Sequence, residues 1–194
     1  MLHAPSLLDA LSSALDPAPA HAPAPGDRLA AVLAPLVERP EPSLIFTVRS
    51  ESLSRHAGEV SFPGGLVDEG EAPADAARRE AFEEIGLDPS LPRLAGSLPP
   101  VHTYVSSILV VPFVGLLERA PALVPSETEI RRIVDVPVAT LAAAERPMEL
   151  SRPEGGIWTG WSYPVDGLTI WGATGFMLHS LLDVLRAEAP WALG

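Results

Sequence analysis

Proline and glycine are frequent enough to limit how long any helix in this chain can be. The 194 residues include 22 Pro and 15 Gly. Proline removes a backbone donor and clashes with the preceding helical turn, and glycine favours turns, so both residues tend to end regular elements. The chain is about the length of one domain. We therefore expect short elements joined by many turns rather than a bundle of long helices.

Hydrophobic periodicity predicts helices and strands that alternate along the chain. The predicted helices are 29–37, stopped by Pro40, then 73–85 with Gly86 as its C-cap, and 176–187. The predicted strands are 43–49, 60–62, 108–117 and 133–138, followed by a hairpin of 158–163 and 168–171 around Asp166-Gly167. Such interleaving favours a single α/β domain.

Residues 1–28 are predicted to form an arm outside this domain. Leu7, Leu8, Leu11 and Leu15 have helical spacing, and residues 16–26 are rich in alternating Ala and Pro, which is typical of an extended linker. The short helix is expected to dock on the body or on a second copy of the chain, most simply without a function of its own. Residues 29–194 would then be one domain.

The charge balance and the absence of cysteine exclude several classes of function. Thirteen basic residues, all Arg, stand against 25 acidic ones, for a net charge of −12. Such a chain repels phosphate backbones, so nucleic acid is not expected as a partner. With no Cys, disulfides, thiolate metal sites and cysteine nucleophiles are excluded. No apolar run reaches the ~18 residues of a membrane span, and no basic signal-peptide start is evident, so we expect a cytoplasmic protein without a membrane partner.

Three glutamates share one face of the predicted helix 73–85. Glu80, Glu83 and Glu84 are spaced i, i+3 and i+4. Each like-charge pair costs roughly 0.2–0.5 kcal/mol, and the last turns of a helix already carry negative partial charge. A divalent cation with a preference for oxygen ligands, such as Mg²⁺ or Mn²⁺, removes both penalties. A solvated acidic face is the simpler alternative for three glutamates considered alone.

The spacing around these glutamates resembles the Nudix box, Gly-x5-Glu-x7-Arg-Glu-U-x-Glu-Glu-x-Gly-U, in which U is aliphatic. The seven fixed positions are Gly65, Glu71, Arg79, Glu80, Glu83, Glu84 and Gly86. The resemblance to Nudix hydrolases implies an α/β/α sandwich with a mixed sheet, and hydrolysis of a nucleoside diphosphate linked to another group. It implies Mg²⁺ or Mn²⁺ held by Glu80, Glu83, Glu84 and the Gly64 carbonyl, with Glu71 and Arg79 pairing the loop to the helix.

The general base is left open between two acids by the same resemblance. Glu129 precedes the Val134-Asp-Val-Pro137 segment, as an acidic residue does in many family members, and Glu127 is its close rival. Both are equally well explained as ordinary loop acids.

The residues before the box resemble the signature of the coenzyme A diphosphatase branch. Arg49-Ser50, Leu53 and His56-Ala-Gly58-Glu59 precede Phe62-Pro-Gly-Gly65, and Ile170-Trp-Gly-Ala-Thr174 resembles a later part of that signature, shifted by one residue. The likeness covers about residues 29–187. The substrate-binding residues that it implies are Arg49, Ser50, Arg55, His56, Gly64 and Gly65.

Individual side chains around this signature have alternative interpretations. Arg49 and Arg55 suit the extra phosphate of coenzyme A, because arginine binds phosphate in a bidentate fork. His56 is expected either to donate to a phosphate or to stabilise the turn. Phe62 is more simply a core residue than a stacking partner for adenine. Trp158, Trp161 and Trp171 are more simply hairpin packing than a pocket lining.

Three functions therefore remain to be compared. The first is a metal-dependent coenzyme A diphosphatase that releases 3′,5′-ADP and 4′-phosphopantetheine or its derivative. The second is a Nudix hydrolase for another nucleoside diphosphate, such as ADP-ribose or a dinucleotide. The third is a nucleotide sensor without turnover, which the intact set of box glutamates disfavours. All three have a small-molecule partner, and monomer and homodimer stay open.

Overall fold

The computed structural model describes residues 6–17, 19, 23–51, 58–103, 107–151 and 155–194. Its helices are α1 (Leu7–Ala14), α2 (Pro73–Ile85), α3 (Val138–Ala144) and α4 (Gly172–Glu188), followed by a 3₁₀ turn at Pro190–Leu193. Its strands are β1 (Arg28–Val37), β2 (Ser43–Arg49), β3 (Val60–Ser61), β4 (Gly64–Leu66), β5 (Arg93–Ser97), β6 (Val101–Thr103), β7 (Ile108–Leu117), β8 (Ile130–Pro137), β9 (Arg146–Ser151), β10 (Ile157–Val165) and β11 (Leu168–Ile170).

Within the described residues, the main sheet has eight strands and is mixed, as predicted. Its central pair, β1 and β7, is parallel over the full length from Arg28↔Ile108 to Val37↔Leu117. The other pairings are antiparallel: β2 and β4 share one side of β1, β8 and β3 pair with β2, and β5 and β6 pair with β7. A parallel pair needs a long crossover, and α2 lies in the chain between β1 and β7.

Both faces of this sheet are buried under helices. Along β1, Ala30 and Ala34 belong to a core shared with α1 and α4, whereas Ala31 and Leu33 belong to a second core shared with α2. Strands β2 and β7 alternate between the two cores in the same way, because successive strand residues point to opposite faces. The predicted α/β/α sandwich is confirmed.

The predicted helix at 29–37 is wrong, because this segment is strand β1. A strand buried on both faces is a nearly continuous apolar run, and such a run satisfies helical spacing as well as strand alternation. The alanines at 30, 31 and 34 strengthened the helical pattern. Pro35, in the interior of the run, was the overlooked signal against a helix.

The N-terminal helix docks on the body of the same chain. Leu7, Leu11 and Leu15 are buried against α4 and β5. The backbones of Asp16 and Ser97 exchange hydrogen bonds of 3.3 and 2.8 Å. Leu15 also approaches Gly96 so closely that a Cβ there would lie 2.6 Å from the Leu15 Cβ. Within the described residues, α1 is therefore part of the main core.

A second, three-stranded sheet of β9, β10 and β11 carries the predicted hairpin. Asp166 and Gly167 form its turn with φ of 49° and 75°, as an Asp-Gly hairpin turn requires. Trp158 stacks on Phe176 with ring centroids 4.7 Å apart, and Trp161 stacks on His179 at 3.9 Å. These two tryptophans pack the hairpin against α4, as the simpler interpretation predicted, whereas Trp171 is exposed.

Phe62 is also a core residue, stacked on Phe46 with ring centroids 4.7 Å apart.

No helix in the described part of the chain is long and apolar enough to cross a membrane.

Candidate active site

The predicted helix over 73–85 is present as α2, and it carries the three box glutamates. It begins at Pro73 and ends at Gly86, whose φ of +66° is the left-handed conformation of a glycine C-cap. One face, which includes Ala77, Ala81 and Ile85, packs on the sheet. Glu84 is buried like these residues, Glu80 is partly buried and Glu83 is exposed.

Glycines allow the backbone of β4 to lie directly between β1 and the glutamates. A Cβ at Gly64 would sit 2.4 Å from the Ala31 carbonyl oxygen, and one at Gly65 would sit 2.5 Å from the Glu80 carboxylate. Both distances are well below van der Waals contact. The close approach of strand β4 to Glu80 therefore requires a residue without a side chain, which is Gly65.

Arg79 joins the loop after β4 to the helix. Its Nε and Nη2 donate to the two oxygens of Glu71 at 2.9 and 3.0 Å, and Nη2 also donates to the Leu66 carbonyl at 3.0 Å. Its Nη1 donates to Glu80 at 2.8 Å and approaches Glu83 at 3.4 Å. Hydrogen bonds from Arg79 lower the pKa of Glu71, and the same bonds raise the pKa of Arg79 further above its usual range. The pairing of Glu71 with Arg79 that the resemblance implied is present.

Glu84 is the most buried of the three glutamates, with 4% of its side chain exposed. Its Oε2 accepts from the Gly64 N–H at 3.2 Å, and its Oε1 lies 3.5 Å from Arg49 Nη1. Burial raises the pKa of Glu84 to about 7; the Gly64 N–H and Arg49 oppose the rise, and the charges of Glu129 and Glu80 add to it. Among the described residues this buried carboxylate has one N–H donor and one nearby arginine, so a bound cation would be a favourable further partner.

The carboxylates have the right donor atoms for a divalent cation, but their side chains are not arranged around one point. Within the described residues, no three His, Asp or Glu side chains converge closely enough to hold an ion as they stand. Glu80 and Glu84 both lie against the Gly64–Gly65 backbone, whereas Glu83 is 55% exposed and faces Arg79. Oxygen donors of this kind are those that Mg²⁺ and Mn²⁺ prefer. We take Glu80 and Glu84 as the better-placed donors, with Glu83 at the rim.

The loop before β8 brings the two candidate bases to the same end of α2. The N–H groups of Val124 and Ser126 donate to the carbonyls of Ile85 and Glu84 at 3.0 and 2.8 Å, which satisfies free carbonyls at the helix end. Ser50 N donates to the Glu129 carbonyl at 2.8 Å, which ties this loop to the end of β2.

Glu129 and Glu127 have different surroundings in this loop. Glu129 is close enough to Glu84 for its charge to raise the pKa of that carboxyl. Glu127 instead lines a shallow groove of about 540 Å³, whose other lining residues are Ser50, Glu51, Pro125, Ile130 and Arg131.

The predicted substrate-binding residues fall into two groups. Arg49, Gly64 and Gly65 lie at the glutamates, and Ser50 lines the groove beside them. Arg55 and His56 lie outside the described residues. An ion pair of Arg131 with Glu51 at the groove rim was not predictable from the sequence. These residues are 80 positions apart, and no local pattern links them.

Comparison with known proteins agrees with this geometry. Residues 27–153 match the NUDIX domain family. The chain is 38% identical over 159 residues to a protein of Escherichia coli K12 described as the uncharacterized Nudix hydrolase NudL, covering 79% of this chain and 81% of that one.

Two solved structures share the fold at lower identity. The NUDIX domain of Shewanella oneidensis NrtR, solved with ADP ribose, has a TM-score of 0.55 and 14% identity, over 84% of this chain and 88% of that one. A MutT protein from Methanosarcina mazei Go1 has a TM-score of 0.55 and 17% identity, over 84% of this chain and 98% of that one. The family match, the identity to NudL and the intact box show that the chain belongs to the Nudix hydrolase family.

Proposed function

We propose that this Nudix hydrolase cleaves the diphosphate bond of coenzyme A, or of its thioesters or oxidised forms. Membership of the family supports hydrolysis of a nucleoside diphosphate derivative. The observation that supports coenzyme A as the specific substrate is the position of Arg49, the arginine of the upstream coenzyme A signature. Arg49 lies 3.5 Å from the buried carboxylate of Glu84. This contact supports a single site that includes the signature arginine and the box glutamates.

Glu80, Glu83, Glu84 and the Gly64 carbonyl would hold the divalent cation that family members generally use, such as Mg²⁺ or Mn²⁺. When bound, it would neutralise the diphosphate and lower the pKa of an attacking water. Arg79 keeps Glu80 in place through its bonds to Glu71 and Leu66.

Glu129 would accept the proton of the attacking water, because its charge reaches Glu84 whereas Glu127 faces the groove. The water oxygen forms a bond to one phosphorus, and the bond between that phosphorus and the bridging oxygen breaks. The two products are 3′,5′-ADP and 4′-phosphopantetheine or its derivative. General bases typically contribute 10²–10⁴-fold. Glu129→Gln is therefore expected to lower kcat by about 100-fold, with the matched Glu127→Gln within about threefold of wild type.

The substrate is tested by kcat/KM for coenzyme A, dephospho-coenzyme A and ADP-ribose, with product identification by mass spectrometry in ¹⁸O-labelled water. We expect coenzyme A to be preferred by at least tenfold, because Arg55, the other arginine of the upstream signature, would contact the 3′-phosphate, and an arginine–phosphate contact of about 1.5–3 kcal/mol gives that ratio or more. A preference for ADP-ribose would overturn the coenzyme A assignment and leave the Nudix assignment intact. No turnover of any nucleotide would favour the sensor.

A further inference from the structure

The two arginines at the box glutamates are held very differently. Arg79 makes four hydrogen bonds of 2.8–3.0 Å to Glu71, Leu66 and Glu80. Arg49 contacts Glu84 only as an ion pair of 3.5 Å, too long for a good hydrogen bond, and 27% of its side chain is exposed. The Arg79 guanidinium is fixed by the fold, whereas the Arg49 guanidinium can leave Glu84 without breaking a hydrogen bond to it.

The backbone of Arg49 is nonetheless well fixed. Arg49 N donates to the Glu59 carbonyl at 3.0 Å, and the Arg49 carbonyl accepts from Gly58 N at 3.2 Å. The pairing of β2 with β8 shifts register between Val48 and Arg49. A shift of this kind re-aims a side chain at the end of a strand. The fold thus places one loosely paired cation at a defined point beside the glutamates.

We propose that Arg49 and a divalent cation are alternative counter-charges for Glu84, and that Arg49, when released, binds the diphosphate of the substrate. Glu84 Oε2 is already engaged by Gly64 N–H, so Oε1, the oxygen that faces Arg49, is the one open to a metal. A divalent cation there repels the guanidinium, and a phosphate oxygen is the natural new partner for an arginine fork. The proposal rests on the proposed function in one respect: the substrate must contain a diphosphate, but it need not be coenzyme A.

This arrangement makes metal and diphosphate favour each other's binding. The cation releases the arginine that the diphosphate needs, and the diphosphate removes the arginine that opposes the cation. Such coupling is reciprocal, so each ligand changes the affinity for the other by the same factor. It also assigns Arg49 to the diphosphate rather than to the extra 3′-phosphate of coenzyme A, because Arg49 lies at the metal-binding carboxylate.

The test measures Mn²⁺ binding by electron paramagnetic resonance, with and without α,β-methylene-ADP, a non-hydrolysable diphosphate without a 3′-phosphate. The nucleotide's own Mn²⁺ binding is subtracted, and the anaerobic samples are held near pH 8.5 so that protons do not compete for Glu84. Arg49→Gln is expected to bind Mn²⁺ alone about fivefold more tightly, because a nearby positive charge is gone. The nucleotide should raise Mn²⁺ affinity at least tenfold in wild type and less than threefold in this variant.

Two further variants keep the test decisive. Arg93→Gln removes one charge from an exposed pair with Glu118, and it should leave the Mn²⁺ affinity and the coupling factor within about twofold of wild type. Arg49→Lys keeps the charge but not the fork, so it should bind Mn²⁺ as wild type does with a coupling factor about threefold smaller. If Arg49→Gln fails to fold, as thermal unfolding would reveal, Arg49→Lys carries the test.

The proposal is overturned if Arg49→Gln binds Mn²⁺ no more tightly than wild type, or if either Arg49 variant keeps the full coupling. Because neither probe contains pantetheine, a failure to cleave coenzyme A would remove the substrate assignment and leave these results standing. A wild-type protein that binds no Mn²⁺ at all would overturn this proposal and the metal-dependent mechanism together.

Discussion

Two largely buried glutamates on opposite faces of the main sheet have pKa values that are shifted in opposite directions. Glu84, on the α2 side, has one N–H donor at 3.2 Å and an arginine at 3.5 Å, and its pKa is raised to about 7 by burial. Glu145, on the α4 side, accepts from Tyr163 Oη at 2.7 Å, His179 Nδ1 at 2.9 Å and Arg186 Nη2 at 2.6 Å. Burial alone would raise the pKa of Glu145, but these three donors hold it below its usual range.

Glu84 is more deeply buried than Glu145, with 4% against 13% of the side chain exposed, and it has fewer donors among the described residues. Burial and the number of donors together set the opposite pKa shifts of the two carboxyls. Glu145 has enough partners to be stabilised as an anion, and it joins the start of β9 to β10 and α4. Among the described residues Glu84 has fewer partners, which we expect to cost stability and to favour a bound cation.

The largest expected effect is on catalysis. Glu84→Gln removes a proposed metal-binding oxygen while its amide oxygen can still accept from Gly64, so kcat/KM should fall by at least about a thousandfold with the fold intact. The matched Glu145→Gln should keep kcat/KM within about threefold wherever it is folded. Steady-state kinetics with circular dichroism as the fold check measure both, and equal losses in the two variants would contradict the contrast.

For the free energy of unfolding we expect the opposite order: the Glu145 variant should lose more than the Glu84 variant. Glu145→Ala leaves the buried Tyr163 hydroxyl without this acceptor and removes one of the two ion pairs of Arg186, which keeps Asp183 at 2.8 Å. The free energy of unfolding should therefore fall by about 3 kcal/mol. Glu84→Gln, measured in EDTA, should show no such loss. Urea denaturation near neutral pH compares the variants, and a Glu145→Ala protein as stable as wild type would show that its hydrogen bonds contribute little.

The pH dependence of stability should differ between the two sites. The folded-state pKa of Glu84 lies above the ordinary 4.5, so its contribution favours folding at low pH and is lost as the pH rises from about 4.5 to 7, by about 3 kcal/mol in all. The lowered pKa of Glu145 contributes stability above about pH 4.5, and this is lost as the pH falls through its folded-state pKa.

Glu84→Gln in EDTA should therefore be more stable than wild type by about 2–3 kcal/mol near pH 8, with a difference close to zero near pH 4.5. Urea titrations at several pH values give this difference directly. A constant difference across the range would mean that Glu84 titrates normally.

A smaller effect is expected from the glycine beside Glu80. In Gly65→Ala the new Cβ would meet the flexible end of the Glu80 side chain at about 2.5 Å, so Glu80 shifts while the core is untouched. We expect kcat/KM to fall about tenfold with the melting temperature lowered by less than about 3 °C. A large loss of stability without loss of activity would contradict this steric role.

The sequence predicted the parts of the fold and site whose signals are local. Helix α2 has its proline, its glycine cap and its box spacing within fewer than 25 residues, and the hairpin has an Asp-Gly turn between apolar runs. Strand β1 was misread because burial on both faces erases strand alternation.

The contrast between the two glutamates had no local signal. Glu145 and Arg186 are 41 positions apart, and Gly64 and Glu84 are 20 apart, so only the folded chain shows which glutamate is fully partnered. The roles of Arg55 and His56 stay predictions, because both lie outside the described residues.

Mn²⁺ titration of wild type, Glu84→Gln and Glu145→Gln, followed by electron paramagnetic resonance, tests whether Glu84, and not Glu145, binds the metal. We expect wild type and Glu145→Gln to bind with the same affinity and Glu84→Gln to bind at least about tenfold more weakly, since one carboxylate ligand is lost. Equal Mn²⁺ affinity in wild type and Glu84→Gln would contradict the account.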